Sequence, residues 1–133
     1  MSQNNHAPKV ERDTAGVPVT VRVDGAPRSL APEAALTAYR TVQEALTNVA
    51  KHAGPGATAL VVLTWAPDSL DISVADRGGE PAAASGTPGG FGLAGMAERA
   101  ALHGGHVEAG HSGDGFTVRL RLPVRPVLQG EPA

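Results

Sequence analysis

The chain has 133 residues, a net charge of −2 and no cysteine. That length fits one domain, the near-neutral balance excludes a broad basic field for nucleic acid or an anionic membrane surface, and the missing thiols exclude disulfides and thiolate metal sites. Aromatic residues make up only 3%, so the core must be aliphatic, and no apolar run approaches the roughly 18 residues needed to span a bilayer.

Met1 to about Ala15 shows no apolar periodicity and carries no basic-then-apolar leader pattern. We expect a flexible tail over 1–15, a domain over 16–123 and a second flexible tail over 124–133, all in the cytoplasm, free-standing or as the cytoplasmic portion of a membrane-anchored protein. Val17, Val19, Val21 and Val23 alternate with Pro18, Thr20 and Arg22, which predicts a half-buried strand. Pro18 cannot donate to a ladder, so this strand lies at an edge or turns the missing donor outward. Pro32 and Glu33 suit the first turn of a helix. Apolar residues then recur at Leu36, Tyr39, Val42, Leu46, Val49 and Ala53, so the spacing predicts a helix over 32–53, stopped by Gly54-Pro55-Gly56.

Thr58 to Trp65 is β-rich. Leu70, Ile72 and Val74 alternate with Asp71 and Ser73 after the turn Ala66-Pro67-Asp68, and the two runs predict an antiparallel hairpin. A small, polar, Gly/Pro-rich segment follows, through Gly90, and a loop of that length favours function. Leu93 to Leu102 returns to helical spacing and stops at Gly104-Gly105. His106 to His111 and Phe116 to Leu122 complete an order β-α-β-β-loop-α-β-β. The expected architecture is α/β, a two-layer sandwich with helices on one face of a mixed sheet.

Three clusters can carry chemistry. Glu44, Asn48 and His52 are spaced by four residues and share one helix face, with Lys51 beside Asn48. Asn48 offers an amide oxygen to a hard cation such as Mg²⁺, Lys51 offers a point charge to phosphate, and Glu44 can orient a nucleophile or a metal-bound water. Asp76 ends a strand and can accept a hydrogen bond from an exocyclic amine such as adenine N6, with Gly78 permitting close backbone approach. Gly90, Gly92 and Gly95 open a helix whose free N–H groups and dipole attract phosphate. Taken singly, each cluster also reads as something plainer: a solvated helix face, an Asp-x-Gly turn, a flexible lead-in.

Together, and in this order, they resemble the catalytic and ATP-binding domain of bacterial sensor histidine kinases. Tyr39 to Ala53 resembles the N box of the subgroup whose regulators are of the nitrate-response type. Asp76-Arg77-Gly78 resembles the start of the first glycine box. Gly90-Phe91-Gly92-Leu93-Ala94-Gly95-Met96-Ala97-Glu98-Arg99 resembles the second. The likeness covers about residues 15–124. It implies the Bergerat ATP-binding sandwich, shared with DNA gyrase, a heat-shock chaperone and a mismatch-repair ATPase. It implies that ATP and Mg²⁺ bind, with Asn48 as metal ligand and Glu44 as the catalytic residue assisting phosphoryl transfer. Lys51, His52, Gly90, Gly92 and Gly95 would lie near the phosphates and Leu93 near the nucleotide. Asp76 would read adenine above Gly78, and 79–89 would form the ATP lid.

Two positions depart from the family pattern. Glu80 replaces the second glycine of the first box. Phe116 stands where the family often has a Thr, and alternation sends Thr117 to the other face of the sheet. None of the five histidines, His6, His52, His103, His106 and His111, sits in a phosphoacceptor box, so this chain alone is not expected to autophosphorylate. The resemblance implies as partners a histidine-bearing dimerisation domain and, through the parent kinase, a response regulator. It implies neither nucleic acid nor direct membrane contact, and a monomeric isolated domain. Two alternatives share the fold: a serine kinase and binder of the anti-sigma-factor type, and a non-catalytic signalling module with a degenerate pocket.

Overall fold

A computed structural model describes residues 9–12, 17–53, 56–78, 92–112 and 115–124. The elements in chain order are β1 (Lys9–Arg12), β2 (Pro18–Asp24), α1 (Pro32–His52), β3 (Ala57–Trp65), β4 (Ser69–Gly78), α2 (Leu93–Ala101), β5 (His106–Ser112) and β6 (Gly115–Pro123). The six strands form one sheet in the order β1-β2-β3-β4-β6-β5. Only β2 and β3 run parallel, and every other neighbouring pair is antiparallel. The parallel pair follows from connectivity, because α1 lies between β2 and β3 and returns the chain to the same end of the sheet.

One face of the sheet is buried, as period-two alternation requires. Val19 of β2, Ala59 and Val61 of β3, Ile72 and Val74 of β4, and Val118 and Leu120 of β6 are all buried. Their registers place them in rows: Val19 opposite Ala59, Val61 opposite Val74, and Val74 opposite Val118. Helix α1 packs on β3, β4 and β6, and α2 on β5 and β6. Leu70, Met96, Leu120 and Leu122 are the largest completely enclosed apolar side chains. The opposite face carries Thr20, Arg22, Thr58, Arg119 and Arg121. There Asp71 pairs with Arg121 at 2.9 Å and with Arg119 at 3.7 Å.

Helix α1 runs where the spacing predicts, with Pro32 in its first turn beside Glu33, and Lys51 and His52 in its last turn. Its buried face differs from the expected one. Leu36 and Tyr39 are 50% and 62% exposed. Leu46 and Val49 are buried as expected, and Ala34, Thr37, Ala38, Thr41 and Ala45 are buried in place of Leu36 and Tyr39. Small residues let the helix axis approach the sheet closely, and the hydroxyls stay satisfied within the helix layer. Thr41 Oγ1 donates to Thr37 O at 2.8 Å, and Thr37 Oγ1 lies 3.1 Å from His103 Nε2, just beyond α2.

The expected tail bounds also differ from the structure, and of the two alternatives for the first strand the edge position does not hold. Lys9–Arg12 pairs antiparallel with β2, so a strand lies within the span 1–15 and β2 is not an edge. Pro18 is the first residue of β2 and faces Arg12 at the end of that ladder, a position where a missing donor costs little. At the other end Val124 is buried and donates its N–H to Asp68 O at 2.9 Å, so the ordered chain passes residue 123. Among the described residues no helix is long and apolar enough to cross a membrane.

Candidate nucleotide site

The helical cluster and the second glycine cluster meet across the gap between α1 and α2. Glu44, Asn48 and His52 are half-buried and Lys51 is exposed. Lys51 and His52 also sit where cations complement the negative end of the helix dipole. Arg99 Nη2, from the last turn of α2, donates to Glu44 Oε1 and forms an ion pair with it.

Gly92 is the residue before α2. Its φ is +69°, in the left-handed region, and a Cβ there would lie 3.1 Å from Glu44 Oε2. Glycine is therefore needed both for the backbone conformation and for the closeness of the carboxylate. A Cβ on Gly95 would lie 3.5 Å from Arg99 Nη1, in ordinary contact. Among the described residues no side chain caps the start of helix α2, and its first N–H groups and positive dipole end suit an anion. Leu93 is half-buried and packs against the hydrophobic core.

Asp76 lies near the end of β4, opposite Ala59 of β3. It follows Val74 by two residues and so shares the helix-covered face. Phe116 N–H donates to Asp76 Oδ1 at 3.2 Å. A Cβ on Gly115 would come within 2.5 Å of Asp76 O and 2.6 Å of Asp76 Oδ1, so only glycine lets β6 approach this closely. Burial pushes the Asp76 carboxyl above the usual carboxylate range, while the Phe116 N–H and the charge of His111 pull it back. The Phe116 ring meets the His111 ring edge-on, with centroids 5.1 Å apart. Thr117 stands opposite Ala75, on the other face, as alternation predicts. Phe116 thus supplies this end of the site with a backbone donor and an aromatic wall where the family pattern has a hydroxyl.

Gly78 closes β4 opposite Ala57. Gly90, Glu80 and the lid span 79–89 lie outside the described residues. Two contributors escaped the sequence reading: Arg99 as the partner of Glu44, and the Phe116 N–H as the support of Asp76. Arg99 follows Gly95 by four residues and so had to share its helix face, but nothing in the sequence names Glu44 as its partner.

Among the described residues no group of three His, Asp or Glu side chains could cage a metal. The α1 stripe instead offers an amide oxygen at Asn48 and a carboxylate at Glu44. That donor set suits Mg²⁺, which is commonly held by one or two protein groups plus water and substrate phosphates.

A mixed sheet covered by two helices, a half-buried carboxylate near a strand end and a glycine-opened helix define an ATP-binding α/β sandwich. Residues 33–126 match the family described as histidine kinase-, DNA gyrase B-, and HSP90-like ATPase, and the chain belongs to that family. The chain is 42% identical over 110 residues to the sensor histidine kinase LnrJ of Bacillus subtilis, covering 81% of this chain and 26% of LnrJ. It is 33% identical over 116 residues to the sensor histidine kinase YxjM of the same organism, covering 86% of this chain and 26% of YxjM. The chain therefore spans about a quarter of the length of these curated relatives. The blue-light activated histidine kinase of Erythrobacter litoralis EL346 superposes with a TM-score of 0.59 at 22% identity, over 79% of this chain and 35% of that one. At that identity the likeness concerns the fold.

Proposed function

We propose that the chain is the ATP-binding catalytic domain of a sensor histidine kinase of the nitrate-response-type subgroup, working in the cytoplasm. It binds Mg·ATP and presents the γ-phosphate to a histidine on a dimerisation domain, and the parent kinase passes the phosphoryl group to a response regulator. The observation that carries this reading is Asp76, a partly buried carboxylate whose Oδ1 is engaged by Phe116 N–H at 3.2 Å. A carboxylate has a second oxygen that can accept from an exocyclic amine, as adenine recognition requires.

The chain's own residues divide the work. Asp76 and Gly78 receive the base, with the Phe116 ring as a neighbouring wall. The first N–H groups of α2, from Gly92 onward, receive phosphate oxygens, and Lys51 adds charge from α1 with His52 beside it. Asn48 would hold Mg²⁺ through its amide oxygen, and the ion neutralises triphosphate charge when bound. Glu44 orients the acceptor or a water at the γ-phosphate end. Phosphoryl transfer of this kind depends on positioning and charge neutralisation more than on covalent chemistry by the protein.

The test is to incubate the chain with Mg·ATP and a separately supplied histidine-bearing dimerisation domain. The expected product is an acid-labile phosphohistidine on that domain. Acid-stable phosphoserine on a protein antagonist would favour the anti-sigma-factor type, and ATP binding without transfer to either would leave a signalling module.

A further inference from the structure

We infer that Arg99 is a positioning residue for Glu44: it holds one carboxylate oxygen so that the other is presented at the glycine-opened start of α2. The inference rests on the reading of Glu44 given above and deepens it. Three observations converge on this carboxylate. Arg99 Nη2 takes Oε1. Oε2 lies beside Gly92, 3.1 Å from where a Cβ would sit. A Cβ on Gly95 would lie 3.5 Å from Arg99 Nη1, in ordinary contact, so the guanidinium passes beside the first turn of α2 on its way to the carboxylate.

The two oxygens therefore do different work. A lone carboxylate on an exposed helix face samples several rotamers, and holding it costs side-chain entropy. Arg99 removes that freedom through a charge-assisted bond that crosses from α2 to α1. The pair is part-shielded, with the Arg99 side chain 29% and the Glu44 side chain 43% exposed. It also offsets the charge of Glu44 at the γ-phosphate end, which matters to ATP and not to ADP, since ADP lacks that group. Arg99 Nε is buried and has no hydrogen-bond partner among the described residues. The guanidinium is thus held by the carboxylate and by packing rather than by a wider polar network. Lysine, a point charge, would keep the attraction but lose the planar geometry that fixes the carboxylate rotamer.

The test compares the wild-type chain with Arg99→Ala, Arg99→Lys, Glu44→Gln and the Ala/Gln double variant. ADP and Mg·ATP affinities and the ³¹P NMR shift of the bound γ-phosphate are read alongside transfer to the supplied histidine domain. Arg99→Ala should lower kcat by up to about 10²-fold, the scale of a small misplacement of a reacting group, with the ADP dissociation constant changed by less than about twofold, within roughly 0.4 kcal/mol. The γ-phosphate shift should move as it does in Glu44→Gln, and the double variant should move no further. Arg99→Lys should recover part of kcat. An Arg99→Ala chain that loses ADP and ATP affinity together would overturn the inference and assign Arg99 to fold support. Additive effects in the double variant, or a γ-phosphate shift that moves in Glu44→Gln alone, would also overturn it while leaving nucleotide binding intact. A wild-type chain that binds no nucleotide would remove both this inference and the proposed function, and is told apart by the ADP titration itself.

Discussion

Replacing Asp76 with asparagine separates the binding role of this carboxylate from its cost to the fold. Asparagine retains an amide oxygen that can accept the Phe116 N–H bond, so the link from β4 to β6 survives. What changes is the second oxygen, which becomes an NH₂ donor facing the amine it should receive. Losing a hydrogen bond to a charged group costs about 1.5–3 kcal/mol, so the dissociation constant for ADP should rise roughly 10- to 150-fold. Stability should move the other way. Burial raises the Asp76 carboxyl above 3.8 in the folded state, so the folded chain binds more protons there than the unfolded chain. The stability this group contributes is therefore fully present below 3.8 and is lost as pH rises through the folded value. The substituted amide does not titrate, so the Tm of the Asp76→Asn variant should gain on wild type across that window and then hold its advantage to neutral pH. Isothermal titration with ADP, together with thermal unfolding followed from about pH 3.5 to 7, measures both effects. Unchanged ADP affinity would remove Asp76 from the site. A variant less stable than wild type at neutral pH would refute the account of its burial.

Asn48→Ala should weaken Mg·ATP binding and its Mg²⁺ dependence more than it weakens magnesium-free ADP binding. An equal loss for both ligands would show that Asn48 does not hold the ion. Gly115→Ala should displace Asp76, because the added Cβ would lie within 2.5 Å of its carbonyl oxygen and 2.6 Å of Oδ1; we expect about 1–3 kcal/mol of destabilisation and a loss of ADP affinity comparable to that of Asp76→Asn, read by urea unfolding and calorimetry. Leu120→Ala removes a completely enclosed side chain and should cost about 2–5 kcal/mol in urea unfolding; a loss below about 1 kcal/mol, well under that range, would contradict the packing described.

Much of the architecture was legible because single residues punctuate it. Pro32 fixed the start of α1 and Gly54-Pro55-Gly56 its end, and alternation in Leu70, Ile72 and Val74 gave both the hairpin and its buried face. Alternation also placed Thr117 away from the helix-covered side, where the register with Ala75 puts it. The β1 strand was not legible because Lys9-Val10-Glu11-Arg12 holds one apolar residue, and its pairing with β2 runs through backbone groups available to any sequence. The buried face of α1 was misjudged at Leu36 and Tyr39, though not at Leu46 and Val49, because bulk was weighed over closeness: Ala34, Ala38 and Thr41 make the approach. At the candidate site, Asp76 and the glycines of α2 could be proposed from the sequence because their chemistry is local. The Glu44–Arg99 pair could not, because its partners are 55 residues apart and are joined only once both helices lie on the sheet.

The most direct test of the central claim is a titration of the chain with ADP and ATP, with and without Mg²⁺, followed by backbone amide NMR. The account predicts saturable shifts centred on Asn48, Asp76, Phe116 and Gly92–Gly95, with Mg²⁺ acting mainly at Asn48. An absence of shifts at millimolar nucleotide would contradict it, and would mean that the substitutions at Glu80 and Phe116 have closed the site.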